Sequence, residues 1–151
     1  MTLLATDRVA LVAAIDPDAY TAAAYTSDWV DMKKFKTLMA VVYVGTMATN
    51  STVNAKLQAA DDGSGTNPID LTGKAITELT EAGTDSDKQV IINLREDEIN
   101  AQATTAGKQF VALLVTVATA ASDMGAAIYG LDPIYNVASD ADIASVDEIV
   151  T

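Results

Sequence analysis

Between Ser51 and Ala60 the chain keeps a period of two. Val53, Ala55, Leu57 and Ala59 alternate with Thr52, Asn54, Lys56 and Gln58. Strict alternation over this stretch sends one set of side chains inward and the other into water when the backbone is an extended, half-buried strand. Gln89–Arg95 follows the same template, with Val90, Ile92 and Leu94 on one face and Gln89, Asn93 and Arg95 on the other; Ile91 breaks the polar set. Two further segments, Phe35–Val44 and Gln109–Val117, are apolar on both faces and rich in β-branched residues, which reads as central strands. Ala75–Leu79 and Ala126–Leu131 are shorter strand candidates.

The punctuation between these segments agrees. Asp61–Pro68, Glu81–Asp87 and Thr104–Gly107 are clusters of Gly, Asp, Asn, Ser and Thr, the residues that make turns. Strands separated by turn clusters predict an all-β fold, an antiparallel β-sandwich or small barrel, jelly-roll-like. A helical turn is expected only at Ala19–Ala24. The ends differ from the middle, so three regions are expected: an N-terminal arm over 1–28, a β-sandwich core over 29–131 and a C-terminal arm over 132–151. Ile134, Tyr135, Val137, Ile143, Val146, Ile149 and Val150 make the last of these too apolar for a purely solvated tail. That favours an arm lying on a neighbouring subunit over a frayed terminus.

Composition narrows function by exclusion. The 151 residues contain no His and no Cys, which removes thiol nucleophiles, His general bases, Ser-His-Asp triads and Cys/His zinc sites together. With 9 Lys+Arg against 21 Asp+Glu the chain carries −12, so direct nucleic-acid binding, which needs clustered cations, is not expected. The first residues lack the basic region of a secretory signal, and Phe110–Ala121 is far short of the roughly 20 residues of a membrane span. A soluble protein with no membrane partner is expected.

Four features carry possible chemistry. Asp61, Asp62 and Asp70 flank a Gly-Ser-Gly turn that superficially resembles a calcium loop, but the bidentate Glu is missing, and a plain hairpin loop is favoured. Glu96-Asp97-Glu98 packs three carboxylates at a strand end, where adjacent acids are ordinarily solvated; no nucleophile or metal motif accompanies them. Trp29, the only Trp, suits a core or interface anchor. Lys33, Lys34 and Lys36 form the densest positive charge in an acidic chain, either a solvated group or a docking point for an acidic partner surface. The partner-binding candidates are therefore Trp29, Lys33, Lys34, Ile134, Tyr135, Ile149 and Val150, with no catalytic residue and no cofactor.

The run Ser27-Asp-Trp-Val-Asp-Met-Lys-Lys-Phe35, with Val44-Gly45-Thr46-Met47, Asp62-Gly-Ser-Gly-Thr66, Gly73-Lys-Ala-Ile-Thr-Glu-Leu-Thr80, Glu96-Asp-Glu-Ile99 and Ala144-Ser-Val-Asp-Glu-Ile-Val150, resembles a family of small structural proteins of tailed bacteriophages. The likeness covers roughly residues 27–131 plus the tail and departs at 100–108. It implies a capsid decoration, or cement, protein that binds the outer surface of the major capsid protein shell, as a homo-oligomer with a trimer preferred. Localisation on the virion follows from the same resemblance. The alternatives are a neck-, tail- or fibre-associated minor virion protein, and an ion- or carbohydrate-binding β-module using the Asp61–Asp70 loop. An enzyme is not expected.

Overall fold

A computed structural model describes residues 3–151. Ten strands form two antiparallel sheets packed face to face. They are β1 (Val9–Tyr20), β2 (Ala23–Thr26), β3 (Val30–Asp31), β4 (Phe35–Met47), β5 (Thr52–Ala60), β6 (Ile69–Ala75), β7 (Leu79–Thr80), β8 (Gln89–Arg95), β9 (Phe110–Ala118) and β10 (Ser122–Pro133). One five-residue helix, α1 (Glu96–Asn100), follows β8.

The first sheet runs β1-β10-β4-β8, and the second runs β2-β9-β5-β6 with β3 also on β9 and β7 also on β5. Because β2 and β3 share one partner, and β6 and β7 another, the ten strands fill eight positions, ordered 1-8-3-6 and 2-7-4-5. That is the jelly roll, in which consecutive strands, apart from the 4–5 hairpin within one sheet, alternate between two sheets closed over one core. The expected all-β antiparallel sandwich is therefore the fold.

Register shows how the alternation was used. Val53, Ala55, Leu57 and Ala59 lie opposite Val117, Val115, Leu113 and Val111, and all eight are at most 1% exposed. From the other sheet Leu38, Ala40, Val42 and Val44 of β4, Ile92 and Leu94 of β8 and Ala126 and Ile128 of β10 turn inward to meet them. Where two sheets come this close, side-chain size must be matched locally. Gly130 has no Cβ because the Phe35 ring occupies that space, 2.6 Å from where a Cβ would stand. The core is close-packed, with no unsatisfied buried polar side-chain atom among the described residues.

Three expectations are corrected. Residues 1–28 are not an arm from Val9 onward: β1 pairs with β10 along its length, and Ala10 and Ala13 are fully buried. The Ala19–Ala24 segment holds no helical turn; β1 ends at Tyr20 and β2 begins at Ala23, and the edge of Tyr20 packs on the ring of Tyr25. Ala75–Leu79 is not one strand: Ala75 ends β6, Leu79 opens β7, and residues 76–78 are a break between them. In the first two cases runs rich in Ala carry too little β-branched or alternating signal for a pattern reading, and pairing with a neighbour decides instead. β1 is further disguised by two register shifts, at Leu11/Ala13 and Ile15/Asp18, that break its period.

Candidate docking surfaces

The predicted partner-binding residues fall in three places. Lys34 and the Ile134–Tyr135 segment come together: the Ile134 N–H donates to the Lys34 carbonyl at 2.9 Å, and a cleft of about 260 Å³ opens between Lys34, Phe35, Tyr135, Val137 and Ala141. Tyr135 is 74% exposed beside this cleft. Arg8, Lys56, Lys74, Arg95 and Lys108 are in salt bridges, whereas Lys33, Lys34, Lys36 and Lys88 are in none among the described residues. Of the predicted cation cluster, Lys34 is thus left free next to an exposed aromatic ring, while Lys33 borders a separate cleft with Glu96 and Lys108.

Trp29 is elsewhere. Its half-buried indole lies over the Asp61–Thr66 turn, where Gly65 has φ +77° and a Cβ would sit 2.5 Å from the indole Nε1. Trp29 therefore locks a loop of its own chain, and the turn requires glycine there.

Ile149 and Val150 form a third location. The C-terminal segment first folds back: Ala138 is fully buried, the Leu11 N–H donates to Asp142 Oδ1 at 2.7 Å, and the Ile143 N–H donates to the Leu11 carbonyl at 2.8 Å. These bonds cap the unpaired edge of β1, where a bare row of N–H and C=O groups would otherwise recruit another chain. Beyond Val146 the tail is exposed, and Val150 is 84% accessible.

The acidic candidates are spoken for individually. Asp61 accepts from Lys108 Nζ at 2.7 Å and from Asn67, and these bonds hold its carboxyl below the usual range. Asp62 accepts from the Thr66 hydroxyl and from backbone N–H groups of its own turn, with the same effect. Asp70 is lowered by Lys56 at 2.6 Å and by Gln58. The three carboxylates thus each serve a separate contact, and no cluster of metal-binding side chains occurs among the described residues. Glu98 is lowered first by Lys74 at 2.8 Å and then by the Arg95 N–H, so it caps the start of α1 and ties β6 to it. Asp97 pairs with Arg95, and Glu96 is exposed.

One surface escaped the sequence reading. On the outside of the first sheet, Leu11, Tyr129, Met39 and Asn93 form one cross-strand row, and Ala14, Ala127, Val41 and Ile91 form the next. Tyr43 lies beyond them, opposite Gly125 and Gln89. Ile91 is 58% and Tyr43 48% exposed. Burial within this face raises the Tyr129 hydroxyl above its ordinary pKa, with Tyr43 adding to the effect. The signal was present: β4 is apolar on both faces, and in a two-layer sandwich only one of them can reach the core.

No protein-family profile and no curated protein matches the sequence. Among solved structures, the chain is similar to one from infectious bursal disease virus, Gx strain, at 13% identity and TM-score 0.48, over 87% of this chain; it spans about a third (34%) of that one. It is similar to a carbohydrate-binding module specific for non-crystalline cellulose at 10% identity and TM-score 0.48, over 79% of this chain and 73% of that one. The third is broad bean stain virus, at 13% identity and TM-score 0.41, over 87% of each chain. With TM-scores below 0.5, none of these likenesses transfers a function to this chain.

Proposed function

We propose that this chain is a structural protein of a virion, and more specifically a decoration protein seated on the outer surface of a capsid shell. The observation that carries the reading is the pairing of a closed, fully satisfied jelly-roll core with unsatisfied exterior groups. Lys33, Lys34 and Lys36 are in no salt bridge among the described residues, Lys34 borders the cleft beside the exposed Tyr135, and the tail ends in accessible Ile149 and Val150. Such groups add little to a monomer's stability and suit contacts between subunits. The resemblance of the Ser27–Phe35 and Gly73–Thr80 runs to phage structural proteins supports the same reading.

Charge supports a place outside the shell. A subunit with −12 facing packaged nucleic acid would be repelled, whereas on the exterior the same charge keeps particles dispersed. Stabilisation then works by mass action: a protein that binds only the assembled shell stabilises each site by about 2.7 kcal/mol when it is present a hundredfold above Kd. The Lys33–Lys36 cluster would meet an acidic patch of the major capsid protein, and Tyr135 would seat in an apolar one.

The test is to add the purified protein to undecorated shells and follow their thermal disruption. Binding with a raised disruption temperature is expected, as is weaker binding by a Lys33→Glu/Lys34→Glu variant. Absence of binding, with the protein present in purified virions at only a few copies, would replace this reading with a neck or tail location.

A further inference from the structure

We infer that the bare outer face of the β1-β10-β4-β8 sheet is covered by a second copy of this chain, the two sheets meeting face to face about a two-fold axis. Size comes first. Four strands about 4.8 Å apart, sharing roughly seven residues at about 3.3 Å each, give a patch on the order of 400 Å². Val41 at its centre is 7% exposed, but Ile91 at 58% and Tyr43 at 48% leave apolar surface that a partner would cover. Two such patches bury an area at the low end for specific interfaces, so the pair is concentration-dependent rather than obligate.

Charge selects the occupant. Each copy carries −12, so most ways of bringing two copies together set carboxylates against carboxylates. Across the central rows of this sheet's outer face, from Thr37 to Tyr43 on β4, only Arg95 at one corner is charged, and Asp97 pairs with it; Asp18 and Asp123 lie at the far end of the register. An identical acidic chain can approach these central rows with that penalty confined to one end. The opposite sheet turns Lys56 and Asp70 outward instead.

Shape agrees. A two-fold interface places one patch against itself, so a projection and a hollow must lie on the same face. The bulge in β1 carries Pro17 over Gly125, whose missing Cβ would stand 3.0 Å from the Pro17 Cα. This leaves a shallow depression of about 390 Å³ with the exposed Tyr43 ring on its border. Asp18 and Asp123 also border it and are the one point of like-charge approach. Salt should therefore strengthen the pair: screening shortens from about 10 Å at 0.1 M to about 3 Å at 1 M.

The inference does not depend on the virion reading and is tested on the isolated chain. Sedimentation velocity over rising protein concentration should show a monomer–dimer equilibrium that tightens with sodium chloride. Ile91→Lys should weaken it about tenfold or more, with an unchanged circular dichroism spectrum; Tyr43→Ser is the second variant should the first fold poorly. Because the chain has no cysteine, single replacements report contact cleanly. Oxidised Ile91→Cys and Tyr43→Cys proteins should form disulfide-linked pairs, and Thr116→Cys on the other sheet should not. A monomer at every concentration, association indifferent to both Ile91→Lys and Tyr43→Ser, or linkage through Thr116→Cys as readily as through Ile91→Cys would each overturn the inference.

Discussion

The outward residues of β5 are Thr52, Asn54, Lys56 and Gln58, while those of β4, at the equivalent depth of the other sheet, are Thr37, Met39, Val41 and Tyr43. Both strands sit inside their sheets and bury their other face completely. β9 shows why the contrast is not simply one of composition. It too is apolar on both faces, yet its outward Leu114 lies opposite Lys56 and its Ala112 opposite Gln58, so long polar side chains lie across it. The neighbours of Val41 are Ala127 and Ile91, so the cover that leaves it 7% exposed is itself apolar. The same sequence pattern thus gives a surface crossed by polar side chains in one sheet and an apolar surface in the other, and the partner strands decide which.

The largest effect should come where the two sheets are alike. Leu57→Ala and Leu38→Ala each remove a side chain at most 2% exposed from the shared core, and each should cost about 2–5 kcal/mol in chemical denaturation. A cost for Leu38→Ala as small as that of a surface change would mean that β4 turns its other face to the core, and the contrast between the sheets would collapse.

The strands with strong periodicity were legible for the same reason that these leucines matter. Ser51–Ala60 and Gln89–Arg95 nearly match β5 and β8 because burial of one face dictates their alternation, and Phe35–Val44 and Gln109–Val117 nearly match β4 and β9 as long β-branched apolar runs. β1 and β2 were hidden because Ala10, Ala13, Ala23 and Ala24 owe their strand state to pairing with β10 and β9, a non-local cause that local pattern does not record. Of the candidate site, Lys34 and Tyr135 were visible as isolated oddities, and their proximity comes from β10 ending beside the start of β4. The loop contact of Trp29 was hidden for the converse reason: nothing local shows that the turn carrying Gly65 folds beneath it.

A second, smaller effect separates edge from face. The first sheet protects its β1 edge through Asp142 and Ile143 while leaving its face open. Ending the chain after Ala141 removes two hydrogen bonds to Leu11 and should cost about 1–2 kcal/mol, with faster hydrogen exchange at Leu11. Unchanged exchange there would show that the tail does not guard the edge.

The outward positions should matter still less to folding. Ile91→Thr and Thr116→Val reverse the character of one site on each face, and both should stay within about 0.5 kcal/mol of the parent stability. Their association should diverge: Ile91→Thr reduces it, whereas Thr116→Val leaves the first face intact and adds a methyl group to the second. A stability loss of several kcal/mol from Ile91→Thr would show that this face is packed within the monomer.

The smallest effect concerns acid, and it belongs to the polar face. Asp70 is held below the usual carboxylate range first by Lys56 and then by Gln58, across the outside of the second sheet. Because its folded pKa lies below the unfolded value of about 3.9, the contact stabilises the protein fully above that value. The contribution is lost as pH falls through the folded pKa. The pair is substantially exposed, at 35% for Lys56 and 54% for Asp70, so solvent screening limits it to about 0.5 kcal/mol. Asp70→Asn should therefore lower the unfolding midpoint slightly and uniformly from pH 8 down to about pH 5, and the gap to the parent should close as the carboxyl protonates below its unfolded pKa. A gap that widened in acid would mean that Asp70 is destabilised in the folded state, and that the polar face is not held by the ion pair that distinguishes it from the bare one.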